Sequence, residues 1–253
     1  MSQPAGWRET AATIMPAAVP AVMLPVFRYT VRRFGGRRGY QAGFAAYWAL
    51  CWTLALAVAG RRRLVELWQV PGTAEPRHRP LYRGVLLLPP AGAIATELIP
   101  NARKAGTTAA LAAVGIGVTN ALAEEALWRG VPLAVFPDRK VRGWLWPSLG
   151  FIAWHLVPLS VRPHPRGRWP VLLGAGLIGL GYGWAAQETG SLLAVSIAHA
   201  ATDSCGVRAA RTIWLATDSG QKPRPFPAGR GNNRAGDRGA ATRHDNGGGM
   251  RHR

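Results

Sequence analysis

Long apolar runs separated by short clusters of arginine form the dominant pattern along this chain. Tyr40–Gly60 and Trp169–Ala186 carry no charged side chain and are close to the ~20 residues that a transmembrane helix needs. The other apolar runs are Ala11–Phe27, Gly84–Pro100, Thr107–Phe136, Gly143–Val161 and Gly190–Ala210. This alternation predicts an all-α fold, a polytopic helical membrane protein with about 6–8 membrane segments.

Two of these runs depart from a simple span. Ala11–Phe27 contains three prolines, so it is either a kinked first span or a shallow interfacial segment. Thr107–Phe136 would be ~45 Å long as a helix, which exceeds the ~30 Å hydrocarbon core of a bilayer. We expect a long or tilted helix that projects its polar end into an internal cavity and then breaks near Gly130–Pro132.

The connecting segments and the two ends suggest three regions. Residues 1–105 hold N-terminal membrane segments and basic loops, of which the proline-rich Val70–Arg83 is predicted to be a loop. Residues 106–214 form the predicted core, ending in the span Gly190–Ala210 with Ser191 as its N-cap. Residues 215–253 are a basic tail with few apolar residues, and the tail is predicted to be disordered.

Positive charge is concentrated at the ends of the apolar runs. The net charge is +19, with 48% hydrophobic and 17% charged residues. Such a charge would indicate nucleic-acid binding in a soluble chain, but arginines that flank apolar spans fit lipid headgroups. We therefore expect the membrane as a partner and no nucleic acid. The excess of Lys and Arg on the tail's side of the predicted spans favours a multi-pass protein of the cell membrane with a cytoplasmic C-terminus.

Charged side chains inside one apolar run are the first candidates for chemistry. Glu124, Glu125 and Arg129 follow the run Thr107–Ala123 directly. At membrane depth a lone ionised side chain costs at least ~2.5–3.5 kcal/mol. On a helix Glu125 and Arg129 are four residues apart and can neutralise each other. Glu124 has no such partner, so it is either a candidate general base or, like its neighbour, a residue of an aqueous rim.

Two later runs also carry polar side chains. Phe151 and His155 are four residues apart and share a helix face. The same holds for His199 and Asp203. Each pair is a weak signal, because a lone histidine in a helix is more often a hydrogen-bonded packing residue. Polar groups on three spans would satisfy one another if buried together, so we predict that they converge on one polar internal cavity.

The three groups resemble the motifs of a known family. Glu124–Gly130, E-E-A-L-W-R-G, resembles the E-E-x-x-x-R motif of the CPBP family of intramembrane proteases, which includes the CAAX prenyl endopeptidases. Phe151–His155 resembles the second motif, F-x-x-x-H, and His199–Asp203 resembles the third, H-x-x-x-N or D. The order and the spacing of the motifs agree across residues 124–203.

The resemblance implies an intramembrane endopeptidase that hydrolyses a peptide bond in a protein or peptide substrate. The implied catalytic residues are Glu124, Glu125, Arg129, His155, His199 and Asp203. By family analogy, Glu124 and His155 would activate a water molecule, and the third motif would stabilise the oxyanion or hold the water. The second glutamate and the arginine would be a supporting ion pair. Eukaryotic members cut after a prenylated cysteine near the C-terminus of the substrate.

Dependence on a metal stays open at this stage. The family is commonly described as metalloproteases, and His155, His199 and Asp203 could hold Zn²⁺. In the equal alternative, a glutamate activates the water without metal, and the same groups act as base and oxyanion donors. Many members that cut prenylated proteins have asparagine where this chain has Asp203, and an ionised aspartate cannot donate a hydrogen bond. Asp203 is then protonated, orients His199 or binds metal.

Two other functions fit the same pattern. A non-catalytic membrane immunity or scaffold protein with the same fold would use the polar residues for stability or partner binding. A transporter or ion pathway would use Glu97, Glu124 and the histidines as a proton relay. The composition is typical of a GC-rich bacterium, in which prenylated proteins are not the expected substrates.

Overall fold

The computed structural model describes residues 6–69 and 78–216, which are helical with no strand in those ranges. The α-helices are α1 (Gly6–Phe34), α2 (Gly36–Val58), α3 (Arg61–Gln69), α4 (Arg79–Ala93), α5 (Ile99–Glu125), α6 (Val131–Val135), α7 (Trp146–Trp154), α8 (Leu156–Val161), α9 (Trp169–Thr189), α10 (Leu193–Ser204) and α11 (Val207–Ala209). Wider π-helical turns occur at Ile94–Leu98, Ala126–Gly130, Val141–Leu145 and Ala210–Trp214.

Several helical runs are long and apolar enough to cross a membrane. In the described part of the chain there are five, namely Gly6–Phe34, Gly36–Val58, Arg79–Val135, Val141–Val161 and Trp169–Thr189. The third run has 57 residues, which is ~85 Å of helix and far more than one crossing needs. Gly106, with φ 77° and ψ 167°, interrupts it near its middle and gives two halves of spanning length. The predicted all-α, polytopic membrane architecture is therefore confirmed.

The proline-containing first run forms one continuous helix. α1 covers 29 residues with its three prolines inside, so it has the length of a span rather than of a shallow segment. α1 packs closely on its neighbours through glycines: a Cβ on Gly150 of α7 would lie 2.6 Å from Pro16, and Gly39 of α2 lies against Thr30. These close approaches place the N-terminal helix against the helices that carry the polar residues.

Two predicted boundaries in the middle of the chain are wrong. The predicted loop Val70–Arg83 extends too far, because α4 begins at Arg79; Pro80 in its first turn costs no hydrogen bond there. Residues 70–77 of that loop lie outside the described residues. The expected break near Gly130–Pro132 is absent, since α6 continues to Val135. The preceding π-helical turn widens the helix before Pro132, which relieves the clash of the proline ring with the preceding turn.

The predicted last span, Gly190–Ala210, is also wrong. α10 has only 12 residues, or ~18 Å, too short to cross a ~30 Å core. It ends at a turn, where Gly206 has φ −72° and ψ 39°, and Val207–Trp214 continues as a separate segment. The predicted N-cap is also displaced, because Leu192 is the N-cap of α10 and Ser191 precedes it, with its Oγ accepting a hydrogen bond from the Leu193 N–H at 3.3 Å.

Apolar side chains occur both in the buried core between the helices and on their exposed faces. The buried core joins α1, α2, α7, α9 and the C-terminal end of α5 around Phe27, Tyr47 and Trp154. Large apolar side chains that are more than half exposed occur on several helices, including Leu87, Leu111, Leu173, Leu177 and Ile197. An exposed belt of this kind fits contact with lipid. The predicted tail lies outside the described residues from position 217 onward.

Candidate active site

The paired glutamates lie at the point where α5 passes into a π-helical turn. Glu124 and Glu125 are the last residues of α5, and Arg129 lies in the turn Ala126–Gly130. All three are fully enclosed, at 2%, 0% and 3% exposure. An aqueous rim would leave such carboxylates exposed, so that alternative does not describe their surroundings.

Glu124 is held through one of its two oxygens. Its Oε1 accepts hydrogen bonds from the Tyr47 hydroxyl at 3.1 Å and from Trp154 Nε1 at 3.0 Å. The Tyr47 and Trp154 rings are stacked at 3.5 Å, and Trp128 Nε1 donates to the Tyr47 hydroxyl at 2.8 Å. The second oxygen, Oε2, faces His199 Nε2 at 3.6 Å. The carboxylate is therefore fixed on one side and turned towards the polar cluster on the other.

Glu125 is bound between two cationic or hydrogen-bonding partners. Its Oε1 lies 3.0 Å from Nη1 of Arg129, the i,i+4 pair expected from the sequence, and 2.7 Å from His199 Nδ1. The arginine also donates to the Ile178 carbonyl at 2.9 Å and lies 4.4 Å from the Phe151 ring centroid. Because a paired carboxylate accepts, His199 Nδ1 carries the proton of this bond. Glu125 thus sets which nitrogen of His199 faces the rest of the cluster.

His199 links the first motif to the third. Its Nε2 lies 3.6 Å from both Glu124 Oε2 and Asp203 Oδ2. These distances exceed a direct hydrogen bond, so His199 Nε2 is a close neighbour of both carboxylate oxygens without being bonded to either of them. Ligand atoms of Glu124, His199 and Asp203 all lie within 4.8 Å of one another. The structure therefore brings these three predicted residues to one point.

His155 is placed differently from the other predicted residues. It sits at the junction of α7 and α8, and its Nδ1 lies 2.8 Å from the Phe151 carbonyl, which can only accept. Its ring packs on Phe151 at 4.7 Å, while Phe151 lies 6.1 Å from His199 on another side. In the described part of the chain no hydrogen bond joins His155 to Glu124. His155 belongs to the same neighbourhood but not to the three-residue cluster.

Two cavities reach this neighbourhood from different sides. The first, of about 180 Å³, is lined by Asn120 and Asp203 together with aromatic residues that include Trp48 and Trp214. The second, of about 380 Å³, is lined by His155 and by basic residues. Both cavities share a wall made of Tyr40, Phe44, Gly206, Ala209 and Ile213. Glu124 lines neither of these two cavities and lies behind the residues that do.

The charges of the cluster do not balance within the protein. Glu124, Glu125 and Asp203 are three carboxylates, and Arg129 is a permanent cation that pairs with Glu125. A protonated His199 would still leave one negative charge if every carboxylate were ionised. Buried charge of this kind is neutralised by protons or by a bound cation.

Three side chains of the cluster offer donor atoms of the kinds that divalent metals bind. One imidazole nitrogen and two carboxylates within 4.8 Å, from Glu124, His199 and Asp203, are suitable ligand types. The bond from His199 to Glu125 resembles the outer carboxylate that usually orients a metal-binding histidine. These residues therefore fit a divalent cation, with Glu124 in the position that the sequence had suggested for His155.

Most of the groups that surround Glu124 have no recognisable signal in the sequence. Tyr47 and Trp154 reach it from other helices, so no local spacing connects them to it. Asn120 lies four residues before Glu124 on the same helix, and this spacing was a usable signal. Its amide donates to Asp203 Oδ2 at 2.8 Å and accepts from Trp48 Nε1 at 2.8 Å.

Comparison with known proteins agrees with the motif resemblance. Residues 106–205 match the family model described as "Type II CAAX prenyl endopeptidase Rce1-like". No curated protein and no solved structure matches the chain. The matched residues contain all six predicted site residues, from Glu124 to Asp203. Over residues 106–205 the chain is thus similar to the type II CAAX prenyl endopeptidases of the Rce1-like family.

Proposed function

We propose that this protein is a membrane-embedded endopeptidase in which Glu124 is the general base that activates water. The observation that carries the proposal is the asymmetry of Glu124. One oxygen is fixed by Tyr47 and Trp154, while Oε2 faces His199 and the cluster. A general base must be held in place and still have a free oxygen within reach of a water. The match to a protease family supports the same reaction class.

The reaction begins with a water between Glu124, His199 and Asp203. Oε2 of Glu124 takes a proton from this water. At the same time, the oxygen of the water forms a bond to the carbonyl carbon of the peptide. The carbonyl electrons move to the oxygen and form a tetrahedral oxyanion. The carbonyl then re-forms, the C–N bond breaks, and the proton held by Glu124 passes to the leaving amine. The products are a carboxylic acid and an amine.

The histidines have separate roles in this scheme. His199 is oriented by Glu125 and presents Nε2 to the reacting water or to the oxyanion. His155 lines the larger cavity, and its neutral ring keeps Nε2 available because Nδ1 donates to the Phe151 carbonyl. It is therefore placed to exchange a proton with a substrate in that cavity. If Glu124, His199 and Asp203 instead held a divalent cation, the cation would supply Lewis acidity, and Glu124 would be a ligand rather than the base.

The experiment compares wild type, Glu124→Gln and Glu66→Gln at equal membrane levels. Glu66 is the matched control, because it is an exposed glutamate whose ion pairs with Arg62 and Arg63 lie outside the site. Two readouts are used: new peptide termini in membranes by mass spectrometry, and cleavage of a C-a-a-X peptide with and without a farnesyl group. The pair of peptides shows whether the substrate must be prenylated.

We expect Glu124→Gln to lower cleavage by at least ~100-fold, as loss of a general base does, and Glu66→Gln to leave it unchanged. Equal peptide termini in wild type and Glu124→Gln would overturn the proposal and favour a non-catalytic scaffold. Cleavage lost equally in both variants would indicate a general defect in membrane assembly rather than loss of a base.

A further inference from the structure

Asn120 is a polar residue of the site that none of the family motifs includes. It lies on α5, one helical turn before Glu124, and lines the smaller cavity together with Asp203. Its side-chain amide bonds to Trp48 on one side and to Asp203 on the other, each at 2.8 Å. A tryptophan on α2 is thereby connected to a carboxylate on α10.

The chemistry of the two partners fixes the orientation of this amide. An indole N–H can only donate, so Trp48 must face the amide oxygen of Asn120. The amide nitrogen is then turned to Asp203, where it donates to Oδ2. The same Oδ2 lies 3.6 Å from His199 Nε2. The chain Trp48–Asn120–Asp203 therefore presents a carboxylate oxygen, in a set direction, to the point where the reacting water is placed.

We propose that Asn120 is a positioning residue, which holds Oδ2 of Asp203 towards His199. Asp203 is about one-quarter exposed and borders a cavity, and a hydrogen bond from another helix restrains its side chain there. Asn120 supplies that restraint from the helix that also carries Glu124. This role rests on the proposed hydrolysis, because its purpose is to orient Asp203 for that reaction.

The contact itself is tested without any assay of activity, by thermal unfolding of purified protein in detergent. Asn120→Asp sets two carboxylates against each other and should lower Tm by about 3 °C or more. The exchange variant Asn120→Asp with Asp203→Asn restores one amide opposite one carboxylate and should recover most of that loss. An exchange variant no more stable than Asn120→Asp would show that the two side chains do not bond, and would overturn the proposal.

The positioning role is tested by turnover in the same variants. Asn120→Ala should lower kcat about tenfold or more with KM within twofold of wild type, because orientation and not binding is lost. Trp48→Phe should lower kcat less, and Trp48→Phe combined with Asn120→Ala should be no slower than Asn120→Ala alone. The exchange variant should stay slow although its Tm recovers, since its carboxylate is now on α5 and no longer faces His199.

The outcomes separate this inference from the proposed function. A wild-type kcat in Asn120→Ala, or a fully active exchange variant, would overturn the role of Asn120. The proposed hydrolysis would still stand if Glu124→Gln were inactive. Unchanged peptide termini in Glu124→Gln would overturn the hydrolysis, and the positioning role would fall with it. Additive losses in Trp48→Phe and Asn120→Ala would reject the chain of contacts between them.

Discussion

Adjacent glutamates in this protein have different environments, and the difference comes from single side chains. Glu125 is enclosed with Arg129 and His199, whereas Glu124 has neutral donors on one oxygen and the cluster on the other. The cationic partner of Glu125 compensates its buried charge, whereas the neutral donors of Glu124 fix its position without supplying a positive charge. In the proposed reaction, these different surroundings make Glu125 the support and Glu124 the base.

The ion pair gives a first prediction at this scale. Arg129→Met leaves Glu125 buried without its cation, and removing one partner of such a pair costs about 3–5 kcal/mol. We expect a sharp fall in Tm and in the membrane level of the protein. The double variant Arg129→Met with Glu125→Gln removes both charges and should be more stable than Arg129→Met alone. Equal unfolding curves for the two variants would contradict a direct pairing.

Tyr47 gives a second prediction at the same scale. Tyr47→Phe keeps the ring stacked on Trp154 but removes the hydroxyl that donates to Glu124 and accepts from Trp128. We expect a loss of stability of about 1–3 kcal/mol, because two buried partners lose a hydrogen bond. Chemical denaturation in detergent measures it. As a control, Tyr29→Phe alters a tyrosine that is 64% exposed and should leave the midpoint unchanged.

At the scale of elements, the site depends on how closely α10 approaches α5. A Cβ on Gly117 would lie 2.6 Å from the Ser204 backbone nitrogen, next to Asp203. Gly117→Ala should therefore push α10 outward, weaken the cluster and lower activity at least tenfold. Gly115→Ala is the matched control on the same helix, because nothing lies within 4 Å of its added Cβ. It should be neutral or slightly stabilising. Parallel losses in both variants would contradict the close contact.

The elements also show how far the sequence predicts the structure. α2 and α9 were predicted well, because a charge-free apolar run of spanning length is most stable as a helix across the membrane. The end of α10 was not predicted correctly, because the hydropathy of the sequence does not reveal the turn at Gly206. The pairing of Glu125 with Arg129 follows from helix geometry alone. The bonds from Tyr47 and Trp154 to Glu124 could not be predicted, because they depend on how separate helices pack.

At the scale of the whole molecule, the exposed apolar belt predicts which faces meet lipid. Leu177, near the middle of α9, is 57% exposed. A lysine at the centre of a span costs about 2.5–3.5 kcal/mol on insertion scales. Leu177→Lys should therefore reduce the fraction that resists alkaline extraction from membranes. Val65→Lys, on α3 outside the candidate spans, is the control and should insert like wild type. Poor insertion of both variants would point to a general folding defect.

The stacked indoles of Trp48 and Trp214 give the protein a built-in optical reporter. Their ring centroids are 5.6 Å apart, with planes 9° from parallel, and both rings line the smaller cavity. A peptide that occupies this cavity must change the packing or the solvent access of these rings. The difference in emission between wild type and Trp214→Phe, against the background of 11 tryptophans in the chain, would follow occupancy of the cavity in real time. Quenching by acrylamide would then report the opening of the cavity before any bond is cut.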